Sequence, residues 1–160
     1  MQDDHTNTEN TSVTTDELLR RAGLLAAGEV PHRSNPLSDP PAFRELAFRL
    51  AGIVDQPYDL IVVRDLFGDR VLGYQLALIA EKPVAVSYDR EGVIVLESGG
   101  SISQGGRALI AADVHFTTNS IQAAASGIEQ AGLEVVGAAL LLQVTQGDYT
   151  FPVWVLEGHV

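Results

Sequence analysis

Apolar positions in this chain follow two rhythms. Near the amino end they recur at helical spacing. Thr15-Asp16-Glu17-Leu18-Leu19-Arg20-Arg21-Ala22-Gly23 sets Leu18, Leu19 and Ala22 on one face, with Thr15 or Asp16 as the cap and Gly23 as the stop. Pro41–Ala51 repeats the pattern with Phe43, Leu46, Ala47 and Leu50. Between them, Gly28–Pro41 holds Pro31, Pro36, Pro40 and Pro41 and reads as a loop of a length often reserved for function. From Tyr58 onward the rhythm changes to short apolar runs. Leu60–Val63, Pro83–Ser87, Val93–Leu96, Ala108–Ala111, Glu134–Leu142 and Tyr149–Leu156 are the expected strands. The third is a hairpin-like excursion bounded by Gly92 and the Gly99-Gly100 turn. A strand that is apolar at every position is one buried on both faces. Val71–Ala80 and Ile121–Ala131 are expected helices, and Gly132 stops the second.

Strands alternating with helices predict an α/β fold, a mainly parallel central sheet flanked by helices, with a small N-terminal or hood region. In such sheets ligands sit beyond the carboxyl ends of the strands. Three segments are thereby singled out as loops: Arg64–Arg70, Tyr88–Glu91 and Asp113–Ser120. Residues 1–15 are polar without apolar period and read as a disordered tail. Residues 16–160 read as one domain, as the length of 160 residues also favours.

Composition narrows the function classes. The formal net charge of −11 does not suit general nucleic-acid binding, which needs a basic footprint. It also disfavours phosphate ligands unless positive groups cluster locally. No apolar run approaches the ~20 residues of a membrane helix. The polar, acidic start lacks the pattern of a secretory signal. With no cysteine, thiol catalysis, disulfides and cysteine-based zinc sites are excluded, and a cytoplasmic location is expected. The four histidines, His5, His32, His115 and His159, share no metal-ligand spacing, so no protein metal site is expected. Neither G-x-S-x-G nor a Walker A pattern occurs.

Arg107–Ile121 reads R-A-L-I-A-A-D-V-H-F-T-T-N-S-I: an apolar strand, an Asp, a Thr-Thr-Asn-Ser loop and the start of an Ala-rich helix. It resembles the sugar-phosphate motif of the type I phosphoribosyltransferases, roughly V-[IV]-V-[DE]-D-V-x-[TA]-[TS]-G-G-[ST]. Asp59–Ala77 resembles the strand and pyrophosphate loop of the orotate subfamily, D-V-V-V-G-x-x-x-G-G-x-x-L-A-Y-x-L-A. Tyr88-Asp89-Arg90-Glu91 echoes its F-x-[EK]-[RK]-E, and Gly132–Leu140 its G-x-E-V-V-G-V-A-x-L. The resemblance covers about Leu18 to Val155.

It implies transfer of a phosphoribosyl group from phosphoribosyl pyrophosphate to a nitrogen base, with magnesium where the protein is active, usually in a homodimer. The ligand-binding positions carried over are Gly68, Arg70, Arg90, Asp113, Thr117, Thr118, Asn119 and Ser120, a set suited to a phosphorylated sugar or a nucleotide. Several depart from the family pattern. Ala112 replaces the first residue of the acidic pair, leaving Asp113, which reads equally as a ligand contact and as a residue that turns the chain. Thr118 and Asn119 replace two glycines of the phosphate cradle, and a β-branched Thr adopts left-handed backbone poorly. Phe116 is bulky where the family has a small residue. Ser120 reads as an anion contact or as an ordinary helix cap. Asp69 replaces the second glycine of the pyrophosphate loop, with Arg64 and Arg70 beside it, and the three read as a surface ion-pair cluster. Nothing basic lies between Arg90 and Arg107, so a catalytic-loop cation has no candidate. Asp113 and His115 read as structural rather than as an acid–base pair.

The expected function is an orotate phosphoribosyltransferase-like protein with a degenerate site, acting as a non-catalytic ligand-sensing or protein-interaction module. The alternatives are an active transferase using Asp113, Thr117 and Ser120, and a pocket that binds a nucleotide only as a regulator.

Overall fold

Each apolar run marked in the sequence becomes a strand or helix of one sheet-centred fold. The computed structural model describes residues 13–25, 35–115 and 117–158. In chain order, the described elements are α1 (Thr15–Arg21), α2 (Pro40–Ile53), β1 (Leu60–Arg64), α3 (Phe67–Ala80), β2 (Val84–Arg90), β3 (Val93–Ser98), β4 (Arg107–His115), α4 (Thr118–Gln130), β5 (Glu134–Gln143) and β6 (Val153–Gly158). The strands form a six-stranded sheet in the order β3-β2-β1-β4-β5-β6. Every pairing is parallel except β2 with β3.

The alternation of side chains along β1 and β4 divides the core into two layers. Ile61, Val63, Leu109 and Ala111 face one way, onto Phe43, Leu46 and Leu50 of α2 and Leu72 and Leu76 of α3. Leu60, Val62, Ala108, Ile110 and Ala112 face the other way, onto Ile121, Ala124, Ala125 and Ile128 of α4. A strand with helices on both faces has no polar side, which is why these runs contain no polar break until their carboxyl ends. Glycine sets how closely α4 lies on the sheet: a Cβ built on Gly127 would overlap the Ile94 side chain of β3.

The elements exceed their expected lengths at the functional end. Helix α3 starts at Phe67 rather than Val71, so the expected Arg64–Arg70 loop shrinks to Asp65 and Leu66. Strand β4 runs on to His115 and α4 starts at Thr118, so most of the expected Asp113–Ser120 loop is regular structure. Strands β2 and β3 extend to a two-residue turn, Glu91-Gly92, with φ of 55° and 85°. Two consecutive positive φ values make the tight hairpin turn whose twist matches its strands. The last strand begins at Val153 rather than Tyr149.

At the amino end, Thr14 rather than Thr15 or Asp16 caps α1, its side chain accepting from Glu17 N at 3.2 Å. Gly23 takes the left-handed backbone, φ 73°, that follows a helix end. Helix α2 opens one residue early, at Pro40, where Asp39 accepts from Ala42 N at 3.0 Å. Most of the expected Pro-rich loop and nearly all of the expected tail lie outside the described residues, as do Phe116, His5, His32 and His159. Among the described residues no helix is long and apolar enough to cross a membrane.

The Gly127–Ile94 contact gives a direct test of the packing. Gly127→Ala is expected to lower stability by about 1–3 kcal/mol through overpacking, read from the urea midpoint with an unchanged slope.

Candidate functional site

Strand order reverses direction at β1: β2 follows on one side, and β4 lies on the other. Their carboxyl ends therefore open a crevice at the switch point. Arg64 ends β1 and Asp113–His115 end β4, so both strands deliver polar residues just as their apolar runs stop.

Arg64 is the centre of the arrangement. Its Nε donates to Asp69 Oδ2 at 2.5 Å and its Nη2 to Asp69 Oδ1 at 3.1 Å. The same Nη2 donates to Val114 O at 3.0 Å, and Nη1 donates to Ser120 Oγ at 3.0 Å. One guanidinium thus ties β1 to the first turn of α3, the end of β4 and the first turn of α4. Asp69 is fully buried, and only 13% of the Arg64 side chain is exposed. The Asp69 Oδ1 also accepts from Asp113 N at 2.9 Å. Asp113 is itself buried; its Oδ1 accepts from Val114 N at 2.6 Å and stands 3.9 Å from Arg64 Nη2. Burial, opposed by Arg64 and reinforced by Asp113, raises the Asp69 carboxyl to about 7.

His115 ends β4 and is wholly buried. Its Nε2 is 2.5 Å from the Tyr149 hydroxyl, while Nδ1 has no hydrogen-bond partner among the described residues. Burial, helped by the Arg64 charge, lowers the imidazole to about 4, so it is neutral at ordinary pH. Beside the cluster a cleft of about 410 Å³ is bounded by Arg64, Asp65, Leu66, Ser87, Tyr88, Asp89, Ile94, Ser120, Ala123 and Ala124. A more enclosed cavity of about 300 Å³, lined by Asp59, Pro83, Gly106 and Leu133, sits at the opposite, amino ends of the strands.

No family model matches the chain. Orotate phosphoribosyltransferase from Methylorubrum populi is 32% identical over 113 residues, covering 69% of this chain and 58% of that protein. The chain thus spans little more than half the length of this curated relative. The solved orotate phosphoribosyltransferase of Aeropyrum pernix superposes with a TM-score of 0.68 at 19% identity, over 84% of each chain. That of Mycobacterium tuberculosis, in complex with inorganic phosphate, gives 0.68 at 19% identity, over 90% of this chain and 93% of its own. The chain is a relative of the type I phosphoribosyltransferases. The solved structures show the fold; the relationship to the orotate enzymes comes from the sequence match.

In this phosphoribosyltransferase relative, the carried-over positions do not form one open cradle. Asp113 and Ser120 join the Arg64 cluster. Gly68 is buried in the first turn of α3. Thr117 is the residue before α4, and Thr118 and Asn119 open that helix. Of its two readings, Ser120 does not take the cap position, which is Thr117: it lies in the first turn of α4, donating to Thr117 O at 3.2 Å. Arg70 is on the surface, paired with Asp65 at 2.7 Å, and Arg90 lies over the Tyr88 ring at 5.6 Å. Ala112 is sealed among apolar side chains against α4, a position that would bury a carboxylate without partners.

The expectation that Arg64, Asp69 and Arg70 form a surface ion-pair cluster is corrected by the structure. Only Arg70 fits it. Asp69 and Arg64 form a buried bidentate pair, because α3 begins early enough to turn Asp69 inward. Arg64 was visible in the sequence only as a flanking charge. Its spacing of five residues from Asp69, across a strand end and a helix start, was the available signal.

Magnesium in such sites takes one or two carboxylates together with substrate phosphates. Among the described residues no group of three or more His, Asp or Glu side chains could hold a metal. Asp69 is turned onto Arg64, and Asp113 onto its neighbouring amide and the same guanidinium. This donor set does not fit a resident ion.

Two measurements follow from the cluster. At about pH 8, Asp69→Ala strands the buried Arg64 charge and is expected to cost about 3–5 kcal/mol, against less than about 1 kcal/mol for Arg70→Ala at the surface pair. Urea unfolding of the two variants compares them. The pH dependence has a defined sign. A carboxyl raised on folding from 3.8 to about 7 stabilises the fold fully below the lower value, and that contribution disappears as pH rises through the upper one. Relative to Asp69→Asn, which has no proton to release, the wild type should therefore lose stability progressively between about pH 4 and about pH 7.

Proposed function

We propose that this chain is an orotate phosphoribosyltransferase-like protein that does not transfer phosphoribosyl groups and acts as a ligand-sensing or protein-interaction module. The observation that carries this reading is the Arg64–Asp69 pair. Asp69 stands where the resemblance places the second glycine of the pyrophosphate loop, and its carboxylate neutralises the cation nearest the crevice. An incoming pyrophosphate meets a guanidinium already held by an internal anion. Transition-state charge in such a transfer needs preorganised positive groups. The Glu91-Gly92 turn supports the same reading. Where the resemblance implies a flexible catalytic loop, β2 and β3 are joined by two residues, one of them acidic. Ala112, in place of the first acid, removes a further charged acceptor, a group worth about 1.5–3 kcal/mol.

One feature favours the alternative of an active or nucleotide-binding protein. Helices α3 and α4 both start at the crevice, and neither has a side-chain cap, so their first backbone N–H groups remain available to an anion. The curated relative is named as a transferase, and one structural neighbour holds inorganic phosphate.

The deciding experiment combines turnover and binding. With orotate or adenine, phosphoribosyl pyrophosphate and magnesium, the expected result is no nucleotide above the protein-free rate. Sustained nucleotide formation abolished by Asp113→Asn would overturn the proposal. Calorimetry with phosphoribosyl pyrophosphate then separates its two forms: heat without turnover marks a ligand sensor, and no heat marks an interaction module.

A further inference from the structure

The cavity at the amino ends of the strands lies at the opposite end of the sheet from the crevice. It is covered by the connection between β3 and β4, Ser98 to Gly106, which holds serines, glycines, Ile102 and Gln104 and carries no charge. Gly105 N donates to Gly132 O at 2.9 Å and Gly106 N to Ser103 O at 3.1 Å, which fix the end of this connection beside the start of β5. Leu60, Val84, Ile102 and Leu133 supply apolar walls to a space of about 300 Å³. The paired glycines at its rim, Gly99 and Gly100, are not demanded by the fold. Neither has a left-handed backbone, and a Cβ built on either would meet nothing within 4 Å. The other use of glycine is to let the backbone approach a ligand closely.

Asp59, the residue before β1, is the charged group among those lining the cavity. Its backbone N donates to Arg107 O at 2.8 Å, and its Oδ2 accepts from Arg107 N at 2.9 Å. The two bonds hold the carboxylate at the start of β4. Its Oδ1 makes no hydrogen bond among the described residues. The Arg107 side chain does not neutralise it, since its Nε stands 3.8 Å from Glu134 Oε2. We infer that this cavity binds a small organic cation, a primary ammonium on a compact apolar body. An ammonium has three donors and no acceptor. Asp59 Oδ1 and the hydroxyls of Ser101 and Ser103, which line the same space, are acceptors for it. The apolar walls take the rest of the molecule. An anion would meet Asp59 with no basic side chain in the lining, in a chain of formal net charge −11. The volume is at the bottom of the ~300–1,000 Å³ range of ligand pockets, which limits the body to a single ring or a short chain. The site stands apart from the crevice and does not depend on whether the crevice turns over substrate.

Titration of the full chain with benzylammonium, followed by amide nuclear magnetic resonance, tests this assignment. Benzoate, of nearly the same size and opposite charge, is the control. The expected result is saturable shifts of the amides of Asp59, Leu60 and Ser98 to Gly106 with benzylammonium and none with benzoate. Asp59→Asn keeps an acceptor for Arg107 N while removing the charge, and is expected to weaken binding about fivefold, as for an exposed ion pair. Ser101→Trp, at an exposed position of the rim, is expected to fill the space and abolish binding. Both variants should leave the amides of α2 and α3 where they are in the wild type. No saturable shift, equal binding of benzoate, an affinity unchanged in Asp59→Asn, or shifts centred on Arg64 and Ser120 at the crevice would each overturn the proposal.

Discussion

The carboxyl end of the sheet depends on the charge of Arg64. Four segments meet there: the end of β1, the start of α3, the end of β4 and the first turn of α4. Each brings polar backbone or side-chain groups out of water at the point where its apolar run ends. A buried guanidinium is tolerable only with an anion in contact, and a buried carboxylate only with donors around it. Asp69 meets both conditions, and its second oxygen contact, to Asp113 N, draws in the strand that carries the other carboxyl. Burial is the main cause of the raised Asp69 value, and the second carboxyl of the cluster, Asp113, adds to it against the pull of Arg64.

The same interaction bears on function. A type I phosphoribosyltransferase relative is recognised by its sheet order and by a sequence match to an orotate enzyme, but a fold does not determine an activity. In the proposed reading the crevice holds its own counter-ion, and the helix starts around it retain backbone donors. Such a site suits a ligand bound mainly through amides, or none, better than one whose charge must be stabilised during bond cleavage. Within that proposal the short β2–β3 hairpin and the buried Ala112 are further support for the same reading.

Helix α3 serves both the core and the crevice. Its inward side chains anchor it on β1 and β4, and its first turn supplies Asp69 to the crevice. A single helix with both demands leaves little freedom in sequence. The glycine at position 73 is one consequence: a Cβ there would come within 2.5 Å of Val63 Cγ1.

The fold was largely legible because its signals are local or periodic. Continuous apolar runs such as Leu60–Val63 announce strands covered on both faces, Gly132 marks a helix end, and the repeated order of runs implies a parallel sheet. The positions of Asp113 and Ser120 at the crevice could also be read, since a strand end and a helix start place them there. What the sequence did not reveal was which charges are buried together. Asp69 and Arg70 are neighbours with opposite fates, because a helix that begins at Phe67 turns one inward and the other to solvent. His115 and Tyr149 meet only when β4 and the segment before β6 are brought side by side. By itself the chain determined where its elements lie and which types of residue reach the carboxyl end of the sheet, since backbone periodicity is set by near neighbours. Tertiary structure alone decided which of those residues neutralise one another, since burial and charge pairing depend on segments far apart in the chain.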